Sequence, residues 1–462
     1  MKQGILPDQK PLTPTASSSS NDSLLLVANI AYPSRLAHQI RISQAQNWLY
    51  RFLRMVRDQA GFHSYGLVRL LLWVLDEEKS VILPRSVANR QKLAVEIEIC
   101  SATEEVAGAD AAAGYDRRLL SLDMESAKRV AHTMQDRNIE IPKGRQAVLH
   151  RMVTDQAGQE VRDQVEATES AAVAHYGLRK WHHELEALKK DFRNGVFTKY
   201  VDQSTHKTAN PELTTTPADT AKARKKRLPK RPKTPQWTRM STLINNVNSQ
   251  QAKNEIAENT AIEQADLESS EEALKDLELS EDERSVKRKE IHDKITQLQS
   301  KLESGMNGFA KKVAFYVDDR RAAQQSPPLL HWDRRSAEPL VVHDNEFHPQ
   351  QPMALLDIRP KPVKIVQDFD VLLTSIFKRP AQPIGQTLNS LAPGAADALI
   401  PEVRGLRSKL NIENFRARIL TTEMINDLLN SWQKWPFRPS PAQLWSTAGE
   451  PLMDKHDSSK SV

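Results

Sequence analysis

Hydrophobic and polar residues form several different patterns along the first hundred residues. The runs Leu24–Ala28 and Leu67–Val74 are almost wholly apolar, which predicts two buried strands of a parallel sheet. Helices are predicted from Ser43 to Gln59 and over Asp76–Val87. In Lys92–Cys100 apolar residues alternate with polar ones, and this alternation predicts a half-exposed strand. Strands alternating with helices at this spacing indicate an α/β fold.

The middle of the chain is more polar. Leu119–Arg137 and Arg145–Lys190 predict long helices, and the Pro-, Thr- and Lys-rich stretch 204–234 predicts a disordered basic linker. Leucine and isoleucine recur at heptad spacing within 247–303, which predicts a helical hairpin or a short coiled coil. Ser280 to Glu283 has capping-box form and predicts where its second helix begins. A single solvated helix that packs weakly is the alternative.

The last part of the chain predicts one strand followed by helices. The strand is Met353–Ile358. Asn411 and Thr421 are predicted N-caps. The predicted helices are Phe369–Lys378, Gln386–Ser390, Ala396–Leu406, Ile412–Leu420 and Thr422–Trp432.

The amino-acid composition excludes several classes of protein. Of 462 residues, 39% are hydrophobic and 27% are charged, so folded parts are expected to be joined by solvated stretches. The single cysteine, Cys100, excludes an intramolecular disulfide framework and a thiolate-cluster metal site. No apolar run reaches the roughly 18–20 residues that a bilayer crossing needs, so no membrane partner is expected. His182, His183 and Glu184 have no third ligand at suitable spacing, so no metal site is predicted.

Basic residues are unevenly placed. The net charge is only +6, yet eight of the twelve residues from Lys222 to Lys233 are basic. Such a segment can follow a phosphate backbone, and the alternatives are a nuclear-localisation-like string or a solvated linker. The predicted nucleic-acid contacts in it are Lys222, Arg224, Lys225, Lys226, Arg227, Lys230, Arg231 and Lys233.

The C-terminal helices also mix basic residues with aromatic ones. Lys378, Arg379 and Trp435 are predicted to contact single-stranded or distorted nucleic acid through charge and stacking. The alternative for the aromatic residues is that they cover the helical core, and Trp432 fits that interpretation best. The other members of the mixed set are Arg404, Arg407, Lys409, Arg416, Arg418, Lys434 and Phe437.

Three stretches together resemble the rRNA adenine N6-dimethyltransferase family, and within it the fungal mitochondrial transcription factor B branch. The first is LLLVANIAYP, Leu24 to Pro33, where the family has Asn, an aliphatic residue, Pro and an aromatic residue. The second is Tyr65 to Ile99. The third is Pro339 to Pro362, followed by Leu388–Ala395, which is similar to part of the family's C-terminal helical domain.

The resemblance implies a partial Rossmann-like methyltransferase sheet with a large helical insertion and a C-terminal all-α domain. The sheet's first half is expected at 23–107 and its returning strands at 331–366, with the insertion, 108–330, between them. The remaining expected parts are a flexible lead-in at 1–22, the C-terminal helical domain at 367–438 and a tail at 439–462.

The resemblance also implies a degenerate adenine pocket. In it, Asn29 accepts a hydrogen bond from the adenine N6 amino group, Ala31 offers its carbonyl, and Tyr32 stacks on the base. Ala31 replaces the family's proline, which reduces the stiffness that aims this carbonyl. The alternative is that Asn29 caps a strand end and Tyr32 is a core or rim aromatic.

The family's cofactor, S-adenosylmethionine, needs a glycine-rich turn and an acidic residue several strand–helix units ahead of the Asn motif. Only 28 residues precede Asn29, and Gly4 is their single glycine. We therefore expect either an N-terminally truncated chain or a protein that has lost methylation. No cofactor is expected in this chain, and S-adenosylmethionine is expected only with the missing part. Enzymatic activity stays open.

The leading functional hypothesis is a transcription initiation factor of the mitochondrial matrix. It binds mitochondrial DNA or rRNA and assists the mitochondrial RNA polymerase at promoters. The first alternative is an S-adenosylmethionine-dependent rRNA adenine N6-dimethyltransferase whose cofactor-binding part is absent. The second alternative is a scaffold protein that uses the basic linker and the coiled coil.

Overall fold

The computed structural model describes most of the sheet and its helices. The described residues are 20–31, 43–110, 118–154, 184–185, 187–190, 235–274, 277, 280–304, 309–363, 368–407 and 415–448. The chain divides into two units, one formed by Met1–Tyr176 and Ala257–Val462, and a smaller one formed by Gly177–Ile256. The first unit contains every described strand.

The described strands form one mixed sheet in the order β1-β2-β5-β3-β4. β1 runs parallel to β2, β5 runs antiparallel to both β2 and β3, and β3 runs parallel to β4. The protein is therefore a mixed α/β fold. The strands are β1 Ser20–Asn29, β2 Leu67–Leu75, β3 Ser101–Gly108, β4 Leu340–Val341 and β5 Met353–Pro360.

Helices account for most of the other described residues. The first five are α1 Gln44–Asp58, α2 Asp76–Ile82, α3 Lys92–Cys100, α4 Leu120–Asp136 and α5 Val148–Thr154. The next three are α6 Pro235–Ala273, α7 Glu281–Ser304 and α8 Phe309–Gln324. The last six are α9 Phe369–Phe377, α10 Ile384–Leu391, α11 Ala395–Leu399, α12 Arg404–Arg407, α13 Thr422–Lys434 and α14 Pro441–Ala448. No helix in these described ranges combines the length and apolar character that a bilayer crossing requires.

The two apolar runs predicted as buried strands form β1 and β2, which are parallel neighbours, but only β2 is buried, because Leu25 and Val27 of β1 are 53% and 61% exposed. Leu26 pairs with Leu70, and Ala28 pairs with Leu72. Leu70 and Leu72 are fully buried in the same core cluster as Leu49 of α1. Their burial removes apolar surface from water, which is the main stabilising contribution to this layer.

The predicted strand Lys92–Cys100 is wrong, because these residues form α3. The prediction assumed that the polar positions of the alternation face water, but Glu96 and Glu98 are buried. Glu96 pairs with Arg57 at 3.1 Å, and Glu98 accepts hydrogen bonds from Arg90. A helix that is packed on all sides can bury glutamates if each is paired with a cation. The polar positions of the alternation therefore do not mark a solvent-exposed face. The third strand is instead β3, which begins directly after α3.

The C-terminal helices follow the predictions only in part. Thr421 caps α13 by accepting a hydrogen bond from Met424 N at 3.1 Å, as predicted. The predicted helix Ala396–Leu406 is interrupted by a 3-10 turn at Ile400–Glu402, which contains a proline. Of the predicted helix Ile412–Leu420, the described residues form only a 3-10 turn at Ala417–Ile419, and Asn411 lies outside the described residues.

The two predicted helices within 247–303 are present as parts of α6 and α7. Ser280 Oγ accepts a hydrogen bond from Glu283 N at 3.3 Å, and Ser280 N donates one to the Glu283 carboxylate at 3.2 Å. This is the predicted capping box, and α7 begins at the next residue. Arg288 of α7 reaches back to Glu271 of α6 at 3.2 Å, so the two helices are linked across the turn.

Candidate nucleic-acid interface

β1 ends in the residues that the resemblance assigns to an adenine pocket. Asn29 is exposed and lies in register with Trp73 of β2. Its side-chain Oδ1 accepts a hydrogen bond from the Ala31 backbone N–H at 3.0 Å, in the manner of an Asx turn. Ala31 is buried, and its carbonyl accepts a hydrogen bond from Gln351 Nε2 at 3.4 Å. Tyr32 lies outside the described residues.

Asn29 therefore caps the strand end, as the alternative interpretation of the sequence holds. An amide oxygen and a backbone carbonyl each have two lone pairs, and the hydrogen bonds described use one of each. The Asn29 and Ala31 oxygens thus keep the capacity to accept a hydrogen bond from an amino group. Capping the strand and binding a base are compatible roles for Asn29.

Two aromatic side chains near this strand end were missed by the sequence analysis. Trp73 accepts a hydrogen bond at its backbone carbonyl from Ile30 N at 3.0 Å. Its ring meets Phe347 edge-on, with ring centroids 5.4 Å apart. Both side chains are half-buried. No local sequence pattern marks them, because the pairing register of β1 with β2 decides that Trp73 lies opposite Asn29.

The C-terminal helices place two of the predicted contacts on the surface. Lys378 and Arg379 are exposed directly after the end of α9. The Arg379 carbonyl accepts a hydrogen bond from Gln382 N at 3.0 Å, so the chain turns here. Lys434, at the end of α13, is also exposed. These cations lie at helix ends, where positive charge also interacts favourably with the helix dipole.

Trp435 belongs to a series of three aromatic rings, which we call the aromatic series: Trp432, Trp435 and Phe437. The centroids of Trp432 and Trp435 are 5.7 Å apart, and those of Trp435 and Phe437 are 6.3 Å apart. Trp432 is fully buried, Trp435 is half-buried and Phe437 is exposed. Trp432 therefore covers the helical core, as the alternative interpretation proposed, while the other two rings approach solvent.

Arg416 and Arg418 do not belong to a nucleic-acid surface. Arg418 Nε lies 2.6 Å from Asp318 Oδ2, and Arg416 Nη1 lies 3.0 Å from Asp318 Oδ1. The Arg418 guanidinium also stacks on Phe315, 4.1 Å from the ring centroid. Burial lowers the pKa of Arg418 from its ordinary value, and the charge of Asp318 opposes this shift. Both arginines hold the C-terminal segment to α8.

The remaining predicted contacts lie outside the described residues. This applies to His182, His183 and to every basic residue of the linker, namely Lys222, Arg224, Lys225, Lys226, Arg227, Lys230, Arg231 and Lys233. Glu184 is described, and its carboxylate forms a bidentate pair with Arg239, with both N–O distances at 2.7 Å. Glu184 is thus engaged with an arginine. The described residues contain no group of three side chains suited to a metal.

A chain of buried charges lies where the parallel strands end. Lys79 Nζ is 2.6 Å from Asp76 Oδ1 and 2.7 Å from Glu105 Oε1. Arg85 approaches the second Glu105 oxygen at 3.6 Å. Gly108, the only glycine that ends a described strand, has no room for a Cβ because Glu105 and Lys79 occupy that position. The protein's own side chains therefore fill the space at this glycine.

Neither a family model, nor a curated protein, nor a solved structure matches this chain.

Proposed function

We propose that this chain is a transcription initiation factor of the mitochondrial matrix that is related to the rRNA adenine dimethylases. In this proposal it binds mitochondrial DNA or rRNA and assists the mitochondrial RNA polymerase at promoters. Its sheet corresponds to one half of a Rossmann-like methyltransferase domain. The support comes from the sheet, from the end of β1 and from the C-terminal helices.

The sheet supports the relationship because it unites two segments that are distant in sequence. The first two resembling stretches contain β1 and β2, and the third contains β5. β5 pairs with β2 in register, Trp73 opposite Leu355, although more than two hundred residues separate them. One domain split by an insertion is what the resemblance implies for these stretches.

One observation carries the nucleic-acid part of the proposal. In the C-terminal helices, Lys378, Arg379 and Lys434 remain exposed, whereas Arg416 and Arg418 are neutralised by Asp318. Lys434 directly precedes Trp435, which is half-buried. Positive charge beside aromatic rings suits single-stranded nucleic acid, because phosphates release counterions and bases stack.

The proposed mechanism uses binding energy to hold strands apart. Lys378, Arg379 and Lys434 contact phosphates, and Trp435 provides a ring for an unpaired base. The stacking contact is available only to a separated strand or to a distorted duplex, whereas phosphates are accessible in an intact duplex as well. The favourable contacts offset the unpairing cost, which is of the order of a few kcal/mol per base step. Asn29 and Ala31 supply two acceptors for a base amino group at the end of β1.

Gly108, which ends β3, offers no open space, because Glu105 and Lys79 occupy the position that a Cβ would take. The proposal includes no methyl-transfer step. Methylation of adenine in small-subunit rRNA by the purified chain, with added cofactor, is the result that would favour the dimethylase alternative.

A salt titration tests the nucleic-acid part. The affinity of the full chain for a labelled oligothymidine and for the matching duplex is measured by fluorescence anisotropy at several salt concentrations. The single strand should bind more tightly, and log affinity should fall linearly with log salt. The Lys378→Ala/Arg379→Ala variant should bind more weakly, with a slope less negative by roughly 1.4, since each lost phosphate contact accounts for roughly 0.7.

The matched control is Lys128→Ala/Arg137→Ala, which removes two exposed cations from α4 and its C-terminal cap. The control should bind as the wild type does. A wild-type affinity that does not respond to salt would overturn the phosphate-driven interface. Equal losses in both double variants would mean that only the net charge matters.

A transcription assay tests the promoter part. The mitochondrial RNA polymerase is supplied with a duplex promoter or with the same promoter carrying a pre-opened bubble. The chain should stimulate run-off transcription from the duplex and have little effect on the bubble template, because the bubble removes the unpairing cost. Equal stimulation of both templates would contradict a role in strand opening.

A further inference from the structure

Phe437 is presented to solvent by a tight turn that is fixed at both ends. The Arg438 N–H donates to the Trp435 carbonyl at 3.4 Å, and Pro436 takes the second position of this four-residue turn. The Trp435 N–H in turn donates to Ser431 O at 3.1 Å, which ties the turn to α13. Proline at this position restricts the backbone to the φ that the turn requires.

The following helix fixes the other end. Ser440 Oγ accepts a hydrogen bond from Gln443 N at 3.3 Å, and Ser440 N donates to Gln443 Oε1 at 2.8 Å. This reciprocal pair is a capping box that starts α14. The segment that carries Phe437 is therefore held at a helix end on each side, so little conformational freedom remains to be lost on binding.

Folding does not account for the position of Phe437. The side chain is 78% exposed, more than any other large apolar residue that the structure describes. Its ring lies at 68° to the Trp435 ring, and most of its surface faces solvent. An aromatic side chain left in water forgoes the stabilisation that burial would give it.

The charges near this ring are positive. Lys434 is exposed before the turn, and Arg438 follows Phe437 directly. Residues 428–448 contain no aspartate or glutamate. The nearest described acidic partner is Asp368, whose Oδ2 lies 3.7 Å from Arg438 Nη1. Lys434 and Arg438 thus flank Phe437 in sequence, and Arg438 is paired with Asp368.

A single open ring is small compared with a protein interface, which buries about 800 Å² on each partner. It matches the face of one nucleic-acid base, and bases stack on aromatic side chains regardless of sequence. In a duplex that face is covered by neighbouring base pairs. The geometry points to Phe437 as the residue that stacks on an unpaired base of single-stranded nucleic acid, with Lys434 against a flanking phosphate. This inference rests on the proposed nucleic-acid function.

Variants at Phe437 of the full chain test it with labelled oligothymidine and with the matching duplex. Phe437→Ala should weaken single-strand binding about 5- to 150-fold, the range measured for loss of one stacked base. Phe437→Trp should restore the affinity because it restores a π-face. Phe437→Leu, which is apolar without a π-face, should bind as weakly as the alanine variant.

The salt dependence of binding distinguishes the contribution of the ring from that of the cations. The slope of log affinity against log salt should be unchanged in Phe437→Ala and less negative by roughly 0.7 in Lys434→Ala. The matched control is Val286→Ala, another exposed apolar side chain, on α7, which should bind as the wild type does. Thermal melting should be the same for all these variants, because none of them alters the core.

Failure of this inference differs from failure of the proposed function. Wild-type affinity in Phe437→Ala, together with weak binding in Lys378→Ala/Arg379→Ala, would overturn stacking by Phe437 and leave the nucleic-acid function intact. Full rescue by leucine would overturn base stacking in favour of an apolar contact. Normal oligothymidine binding with lost polymerase binding would assign Phe437 to a protein partner. Absence of wild-type binding to either probe at low salt would overturn the proposed function itself.

Discussion

Two sets of basic residues in the C-terminal part of the protein look alike in sequence and differ in the fold. Arg416 and Arg418 lie against Asp318, whose carboxylate is fully buried. Lys378 and Arg379 follow α9 and are exposed. The first set stabilises the attachment of the C-terminal segment to α8. The second set faces solvent.

The difference teaches that burial and the nearest acidic group decide what a cation does. A buried arginine needs a buried acceptor, and removing that acceptor leaves an uncompensated charge. Removing an exposed cation changes the free energy of unfolding very little, because water and salt screen its charge. Stability and nucleic-acid affinity should therefore respond to different members of one stretch of sequence.

Loss of Asp318 is expected to have the largest effect. Asp318 also pairs with Arg321, whose Nη1 lies 3.2 Å from Oδ1, so three guanidinium groups form ion pairs with this carboxylate. Asp318→Asn should lower the free energy of unfolding by about 3–5 kcal/mol, because it leaves buried arginine charge unpaired. Urea unfolding measures this loss. Asp397→Asn, at an exposed aspartate of α11, is the control and should change little; equal stabilities of the two variants would contradict a structural role for Asp318.

The neighbouring carboxylate, Asp319, should show a pH effect of intermediate size. Burial raises the pKa of Asp319 from 3.8 to about 7, although Ser86 Oγ and Val87 N donate to it. The folded state then binds a proton that the unfolded state releases. Its contribution to stability is full below about pH 4 and is lost as pH rises towards about 7.

Asp319→Asn should flatten that part of the stability profile relative to the wild type. Urea unfolding at a series of pH values between 4 and 8 provides the comparison. Parallel profiles for the two proteins would show that the Asp319 carboxyl does not titrate in this window.

The smallest effect on stability is expected for the exposed pair, Lys378 and Arg379. Lys378→Ala/Arg379→Ala should change the free energy of unfolding by less than about 0.5 kcal/mol, because exposed side chains away from caps and cores contribute little. Thermal unfolding measures this. The same variant should lose nucleic-acid affinity, so a large drop in its melting temperature would assign these residues to the fold.

Much of the sheet is predictable because its signal is local. The apolar runs of β1, β2 and β5 were recognisable as strands, although only β2 and β5 are largely buried, and Leu25 and Val27 of β1 are exposed. The capping box at Ser280 was equally local. Asn29 became a candidate through the family resemblance, and Trp435 and Phe437 through the basic residues near them in sequence, whereas Trp73 needed the strand register.

The chain's sequence by itself determined where apolar runs and helix caps lie, because these depend on residues a few positions apart. Only the tertiary structure decided that Lys92–Cys100 is a buried helix, since Arg57 comes from α1 to pair with Glu96, and Glu98 is buried together with the nearby Arg90. It also decided which cations are buried and which face water. A charge pair or a strand register joins residues that are far apart in sequence, and no local pattern records such a partner.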